Sequence, residues 1–215
     1  MDDSNNPLDA VAQQLLQFRD DTHGIAHARR VVAWVRRLQH HYAPDRPLLG
    51  SVGEDLEAAL AAAALHDVCD RKYVREPEQV AAVQARIALE LADRVGMGAA
   101  QIALVQRLVS KLSFSRERQD AAVWLGCFSQ QELRLFRLVS DADKLDAIGA
   151  VGIARTAMYQ GMKFESLDGC LDYLEVLARE VPPMLFYPES REEGEVRARA
   201  TLEFVAAARE NIAVG

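Results

Sequence analysis

Apolar residues recur at intervals of three and four along most of this chain, and that period predicts an all-α protein. A first helix fits residues 8–19. The stretch "THGIAHARRVVAWVRRLQHHY" gives a second, capped near Thr22 and stopped before Pro44. Ile25, Val31, Val35 and Leu38 line one of its sides, while Arg29, Arg36 and Arg37 lie elsewhere. Residues 44–50 read as a loop, and Ser51 and Glu54 have the spacing of a capping box opening a helix that runs to about His66. A fourth helix covers 77–96, with Pro77 at its start and Gly96 near its end. A fifth covers 99–113, and the polar run "SFSRERQD" after it reads as a loop. Residues 129–149 make a sixth, running on with a bend into 150–161, and two more fit 168–180 and 189–212. No strand precedes Gly149 and Gly152, so this pair marks close helix packing rather than a dinucleotide-binding fingerprint.

Three of these helices carry an ionisable residue on the apolar side. His27 shares a face with Val31, Trp34 and Leu38; Asp67 shares one with Leu56, Leu60 and Ala63; Asp143 follows Phe136 and Val139. An unpaired carboxylate is costly to bury, so such groups pair or bind a metal. Together with His66, they form a set of two imidazoles and two carboxylates, suited to a borderline or hard divalent ion. His66 and Asp67 are adjacent and cannot share one face of a regular helix, but at a helix end both can reach one ion. Taken singly, each has an ordinary reading as well, as a core or surface histidine or a helix carboxylate paired with Arg or Lys. Periodicity leaves both readings open.

The composition narrows the setting. With 215 residues, half of them hydrophobic, the chain suits a single domain spanning 1–215, with two small domains as the alternative. A net charge of -7 argues against an extended nucleic-acid surface, which needs a basic patch, but not against a small anionic substrate held at a metal. Three widely spaced cysteines, Cys69, Cys127 and Cys170, fit free thiols in a reducing compartment. The acidic start lacks a signal-peptide pattern and no long uncharged apolar run occurs, so a cytoplasmic protein without a membrane span is expected. Oligomeric state stays open, and a homo-oligomer is compatible with the sequence.

The ordered blocks "HGIAHARRV", "AALHDVCDRKY", "KLSFS" and "DADKLDAIGAVGIART" resemble the HD-domain metal-dependent phosphohydrolases, most nearly the small bacterial-type branch that includes nucleotide pyrophosphohydrolases. The resemblance runs from about 20 to 160 and implies an HD-type helical bundle, with the helices of 168–212 packing on it. It implies metal ligands at His27 (the "HxxRV" histidine), His66, Asp67 and Asp143, holding one divalent ion such as Mn, Ni, Co, Fe, Zn or Mg. Asp70 matches the acidic position that orients or deprotonates the attacking water. Lys72, with Arg71 beside it, is the matching phosphate contact. Lys144 faces phosphate or pairs with Asp141 or Asp146 at the surface, and Arg155 contacts phosphate or braces Asp146. His23, one turn before His27, reaches the same cavity as a phosphate contact or a support for the ligands.

Two departures matter. Leu112 stands where some relatives carry histidine before "SF", and no histidine follows His66, so a second metal is not supported. The cyclic-dinucleotide GYP signature is also absent. The resemblance therefore implies a mononuclear phosphohydrolase cleaving a phosphate ester or anhydride of a nucleotide or other small metabolite, with pyrophosphate release from (d)NTPs as the branch's form of the reaction. The alternative is a metal-retaining, nucleotide-binding sensor without turnover. The apolar segment at 183–191 reads equally as a cavity wall or lid, a dimer contact, or ordinary core.

Overall fold

The computed structural model describes residues 6–20, 22–41, 54–70, 73–120, 125–163 and 166–213. Among these every regular element is helical: α1 (Pro7–Leu15), α2 (Ile25–His41), α3 (Glu54–Leu65), α4 (Pro77–Glu90), α5 (Ala99–Lys111), α6 (Phe114–Gln119), α7 (Gln130–Asp146), α8 (Gly149–Lys163), α9 (Leu167–Met184) and α10 (Pro188–Ala213). Short 3₁₀ turns occupy His66–Cys69 and Leu125–Cys127, and Leu91–Val95 winds as a π-turn. No helix among the described residues is long and apolar enough to cross a membrane. The chain divides into two compact units, Met1–Ser140 and Asp141–Gly215.

In the first unit α3 is the central element. Ala58, Ala59, Ala61, Ala62, Ala63 and Leu65 are all fully buried, so from Ala58 on the helix is apolar all round, and α3 is packed by α1, α2 and α5. Alanine lets those neighbours approach closely. The cost is little side-chain area of its own, and the unit draws its apolar burial from residues such as Val31, Val35, Ile87 and Leu108.

Local chemistry sets the helix ends. Asn6 Oδ1 accepts the Leu8 N–H at 2.9 Å ahead of Pro7. The expected fourth helix stops being α-helical at Glu90, and Gly96, at φ 77, ends the π-turn after it. The second helix starts later than the Thr22 cap implies. Asp20 captures the N–H of Thr22 at 2.9 Å and of His23 at 3.2 Å, holding them in a turn, and helical bonding begins with Ala28 N–H to Gly24 O at 3.2 Å. The run 113–120 is also corrected: instead of a loop it holds α6, whose buried Glu117 accepts the Ser140 hydroxyl at 2.8 Å. The loop at 44–50 and the Ser51 half of the capping box lie outside the described residues.

In the second unit, Cys170, Leu171 and Leu174 of α9 pack with Val205 of α10, and Ile153 of α8 joins them. The expected sixth helix is two helices, α7 and α8, separated at Gly149 with φ 78. The Gly149 N–H donates to Thr201 Oγ1 at 2.8 Å.

Candidate metal centre

The polyalanine helix α3 ends at Leu65, and the next four residues tighten into the 3₁₀ turn His66–Cys69. This change of helix type lets two adjacent side chains serve one point. Three donors meet there. His27 Nε2 of α2 and His66 Nε2 are 3.1 Å apart, and Asp67 Oδ2 lies 3.6 Å from the first and 3.4 Å from the second. His27, His66 and Asp67 are each at most 9% exposed.

The tautomer at His66 follows from its other nitrogen. Nδ1 sits 2.8 Å from the Ala63 carbonyl oxygen, which only accepts, so Nδ1 carries the proton and Nε2 offers a lone pair. Asp67 Oδ2 is buried with no hydrogen-bond partner. An orphaned carboxylate oxygen beside two imidazole nitrogens is an expensive arrangement unless a cation completes it. The spacing fits one. A triangle of sides 3.1, 3.4 and 3.6 Å has a point about 2 Å from every corner, the length of a bond from nitrogen or carboxylate oxygen to a first-row divalent ion. These residues fit a metal.

The turn is braced from outside. Arg19 donates to Val68 O at 2.8 Å and stacks over the Tyr73 ring at 4.2 Å, and Gln84 donates to Cys69 Sγ at 3.4 Å. Burial pushes the Cys69 thiol up, partly offset by Gln84 and the charge of Arg19. Asp70 leaves the turn in extended conformation, half-buried. Its N–H bonds to Asp67 O at 3.2 Å, and its own carbonyl accepts the N–H of Tyr73 at 2.9 Å and of Val74 at 3.0 Å.

Lys72 and Arg71 lie outside the described residues. Asp143 sits half-buried in the last turn of α7, within the second unit. Lys144 corrects the surface pairing read from sequence: it is 2% exposed, and its Nζ lies 5.0 Å from the Phe186 ring centre. Arg155 donates to Asp146, at 2.9 Å to Oδ2 and 3.1 Å to the backbone oxygen. The segment 183–191 is tied down in the same unit, with Leu185 buried and the N–H groups of Phe186 and Tyr187 donating to Asp141 at 2.9 and 3.1 Å. Burial pushes the Asp141 carboxyl up to about 6, opposed by the Phe186 N–H, the Lys144 charge and Ser190.

His23 lies in the Asp20 turn, its Nδ1 3.2 Å from Asp20 Oδ1, and the Tyr73 hydroxyl donates to the other Asp20 oxygen. Sequence reasoning missed Arg19, Asp20 and Tyr73. Their signal was position alone, since "RDDTH" adjoins the first motif block and Tyr73 closes the "DRKY" block. Burial raises the Asp20 pKa, but hydrogen bonds from Thr22, Tyr73 and His23 outweigh it and hold the carboxyl well below the usual carboxylate range. A depressed carboxylate contributes stability above its unfolded pKa and loses it as pH falls through the folded value. Asp20→Asn is therefore expected to cost about 1–3 kcal/mol at pH 7. The difference between variant and wild type should shrink as pH drops below the ordinary value of 3.8, as read by urea unfolding at both pH values.

No family model matches the sequence. The uncharacterised Bacillus subtilis (strain 168) protein YpgQ is 30% identical over 159 residues, covering 67% of this chain and 72% of YpgQ. A crystal structure of YpgQ superposes with a TM-score of 0.70 at 24% identity over 97% of each chain, and YpgQ has also been solved in complex with ADP. A Lactobacillus plantarum protein gives a TM-score of 0.72 at 21% identity, covering 100% of this chain and 99% of its own. An HD-superfamily hydrolase from Bacillus thuringiensis gives 0.66 at 22%, covering 99% and 98%.

Proposed function

From the premise that this chain belongs to the HD superfamily of hydrolases, we propose that it is a divalent-metal-dependent phosphohydrolase acting on a nucleotide or a similar small phosphorylated metabolite. The observation that carries this reading is the convergence of His27 Nε2, His66 Nε2 and the partnerless Asp67 Oδ2 on one point. Asp143, matched by the "DADKL" block, is the fourth ligand in this proposal. When bound, a divalent ion supplies a Lewis acid that polarises a phosphoryl oxygen and lowers the pKa of a water.

The chain's own groups do the rest. Asp70 is fixed to the ligand turn through its N–H on Asp67 O, and its carboxylate takes a proton from the water that attacks phosphorus. Lys72, two residues on, holds a phosphate oxygen of the substrate. The burial of Lys144 and the ion pair of Arg155 with Asp146 favour internal bracing for those two over direct substrate contact. The ADP complex of YpgQ favours a nucleotide, and the resemblance favours cleavage between the α- and β-phosphates with pyrophosphate leaving.

The test is to assay the protein with Mn²⁺ on nucleoside triphosphates, nucleoside diphosphates and sugar phosphates, measuring orthophosphate and pyrophosphate separately. Pyrophosphate from triphosphates is the expected product. Asp70→Asn should retain the metal and slow turnover by about 10²-fold or more. Hydrolysis confined to sugar phosphates would overturn the nucleotide reading. Stoichiometric nucleotide binding with no product over hours would overturn the enzyme in favour of a sensor.

A further inference from the structure

The helix that delivers His66 and Asp67 stops directly after them. α3 and the 3₁₀ turn are consecutive in the chain, and Asp70, at φ -60 and ψ 131, leaves the helical conformation. The closing carbonyls of a helix lack partners in a following turn and must find them elsewhere. Asp67 O receives the Asp70 N–H at 3.2 Å. Val68 O, the next one, receives Arg19 Nη2 at 2.8 Å from a residue far back in the chain. This is a C-terminal cap carrying a full positive charge, set at the negative end of the helix dipole.

Arg19 is itself held at both ends. Its N–H returns to Leu16 O at 2.9 Å, tying it to the end of α1, and its guanidinium lies over the Tyr73 ring at 4.2 Å. Tyr73 in turn bonds through its N–H to Asp70 O at 2.9 Å and donates its hydroxyl to Asp20. Arg19 therefore grips the ligand turn at Val68 directly and beyond Asp70 through the ring. Stability alone is a poor account of this placement. Arg19 Nε is buried with no acceptor, which is destabilising. The guanidinium is also near enough for its charge to act on the Cys69 thiol, and a positive charge so close opposes a cation at the triad. An arginine that leaves one N–H unpaired and repels the ion is explained by what it does to the geometry of the turn.

We propose that Arg19 is a positioning residue for the metal centre: by pinning Val68 O it keeps His66–Cys69 in the tight turn that brings His66 Nε2 and Asp67 Oδ2 to one ion. The inference rests on the metal-dependent hydrolase reading. Arg19 supplies no ligand atom, and its removal has two effects of opposite sign. Loss of its charge tightens the hold on the ion, while loss of the pinned carbonyl loosens it. Arg19 is only half-buried, and solvent weakens the repulsion. The second effect acts on the ligand distances themselves and prevails.

The test titrates Mn²⁺ and Co²⁺ separately into the metal-free full chain by calorimetry. Arg19→Met keeps an apolar stem against Tyr73 and removes the charge and the donors. It should weaken Mn²⁺ binding by about tenfold or more, as changes behind metal ligands do. Arg19→Lys keeps a charged donor for Val68 O and should recover most of that loss. Tyr73→Leu removes the ring and should weaken binding severalfold, which keeps the test open if Arg19→Met does not fold. Added to Arg19→Met it should change little, because the ring acts through the arginine. At saturating Co²⁺ the visible absorption of Arg19→Met should differ from wild type, reporting an altered ligand geometry that a purely stabilising role would not produce. Mn²⁺ binding as tight as wild type or tighter in Arg19→Met would overturn the inference, and so would a cobalt spectrum that does not change. Either result would leave the hydrolase reading standing. A wild-type chain that takes up neither ion would sink the inference together with the reading it rests on.

Discussion

Asp67→Ala is expected to abolish metal binding and to lower the proposed phosphohydrolase turnover by about a thousandfold or more, while leaving the metal-free protein folded. The two effects separate because one oxygen of the buried Asp67 carboxylate lacks a hydrogen bond. Its Oδ2 has no hydrogen-bond partner, and its distances of 3.4 and 3.6 Å to the imidazoles exceed hydrogen-bond length. Removing a lone buried carboxylate oxygen relieves desolvation as well as opening a small void. The metal-free variant should therefore lie within about 1–2 kcal/mol of metal-free wild type. The metal increment is another matter. An ion at a hundred times its Kd stabilises the state that binds it by about 2.7 kcal/mol, which in a chain of this size raises Tm by roughly 5–10 °C. Wild type should show that rise on addition of Mn²⁺ and the variant should not, in paired melting curves. A variant that melts far lower without metal, and still responds to it, would make Asp67 a structural carboxylate.

Gly152→Ala is the second large expected effect, and it opposes helix propensity. Gly152 lies inside α8, where alanine ordinarily gains about 1 kcal/mol over glycine. A Cβ there would sit 2.3 Å from the carbonyl oxygen of Ala147 and 2.4 Å from its carbon. Both are backbone atoms, so no rotamer change relieves the clash. The backbone cannot give easily, since Arg155 holds Asp146 and the Gly149 N–H is held by Thr201. Overpacking of this kind outweighs propensity, and a net loss of about 2 kcal/mol or more is expected in urea denaturation. Gly161→Ala is the control: that position is exposed in the same helix with nothing within 4 Å of the added carbon, and the change should stabilise slightly. Equal behaviour of the two variants would contradict the close approach of the α7–α8 junction.

What the sequence made legible follows the range of the interactions. The helical period located α2, α7, α9 and α10 to within a few residues, because each buries a stripe along its own length. The end of α3 at the His-Asp pair was legible for the same reason, as an apolar run meeting two ionisable groups. Contacts made from far along the chain were not. Nothing in "SFSRERQD" has helical apolar spacing; α6 is accompanied by a buried Glu117 bonded to Ser140 on α7. Lys144 reads as a surface charge until Phe186 covers it. The start of α2 depended on whether Thr22 would cap the helix or give its N–H to Asp20, a competition between local side-chain bonds that composition does not decide. The Asp20 cluster escaped because its key partner, Tyr73, comes from the far side of two helices.

Whether His27, His66 and Asp67 hold a divalent ion is decided by elemental analysis of protein purified without chelator, with Asp67→Ala prepared in parallel. About one divalent transition metal per wild-type chain is expected, lost in the variant, as a three-donor site of this geometry requires. Metal-free wild type that takes up none of Mn²⁺, Ni²⁺ or Mg²⁺ when they are added would contradict it.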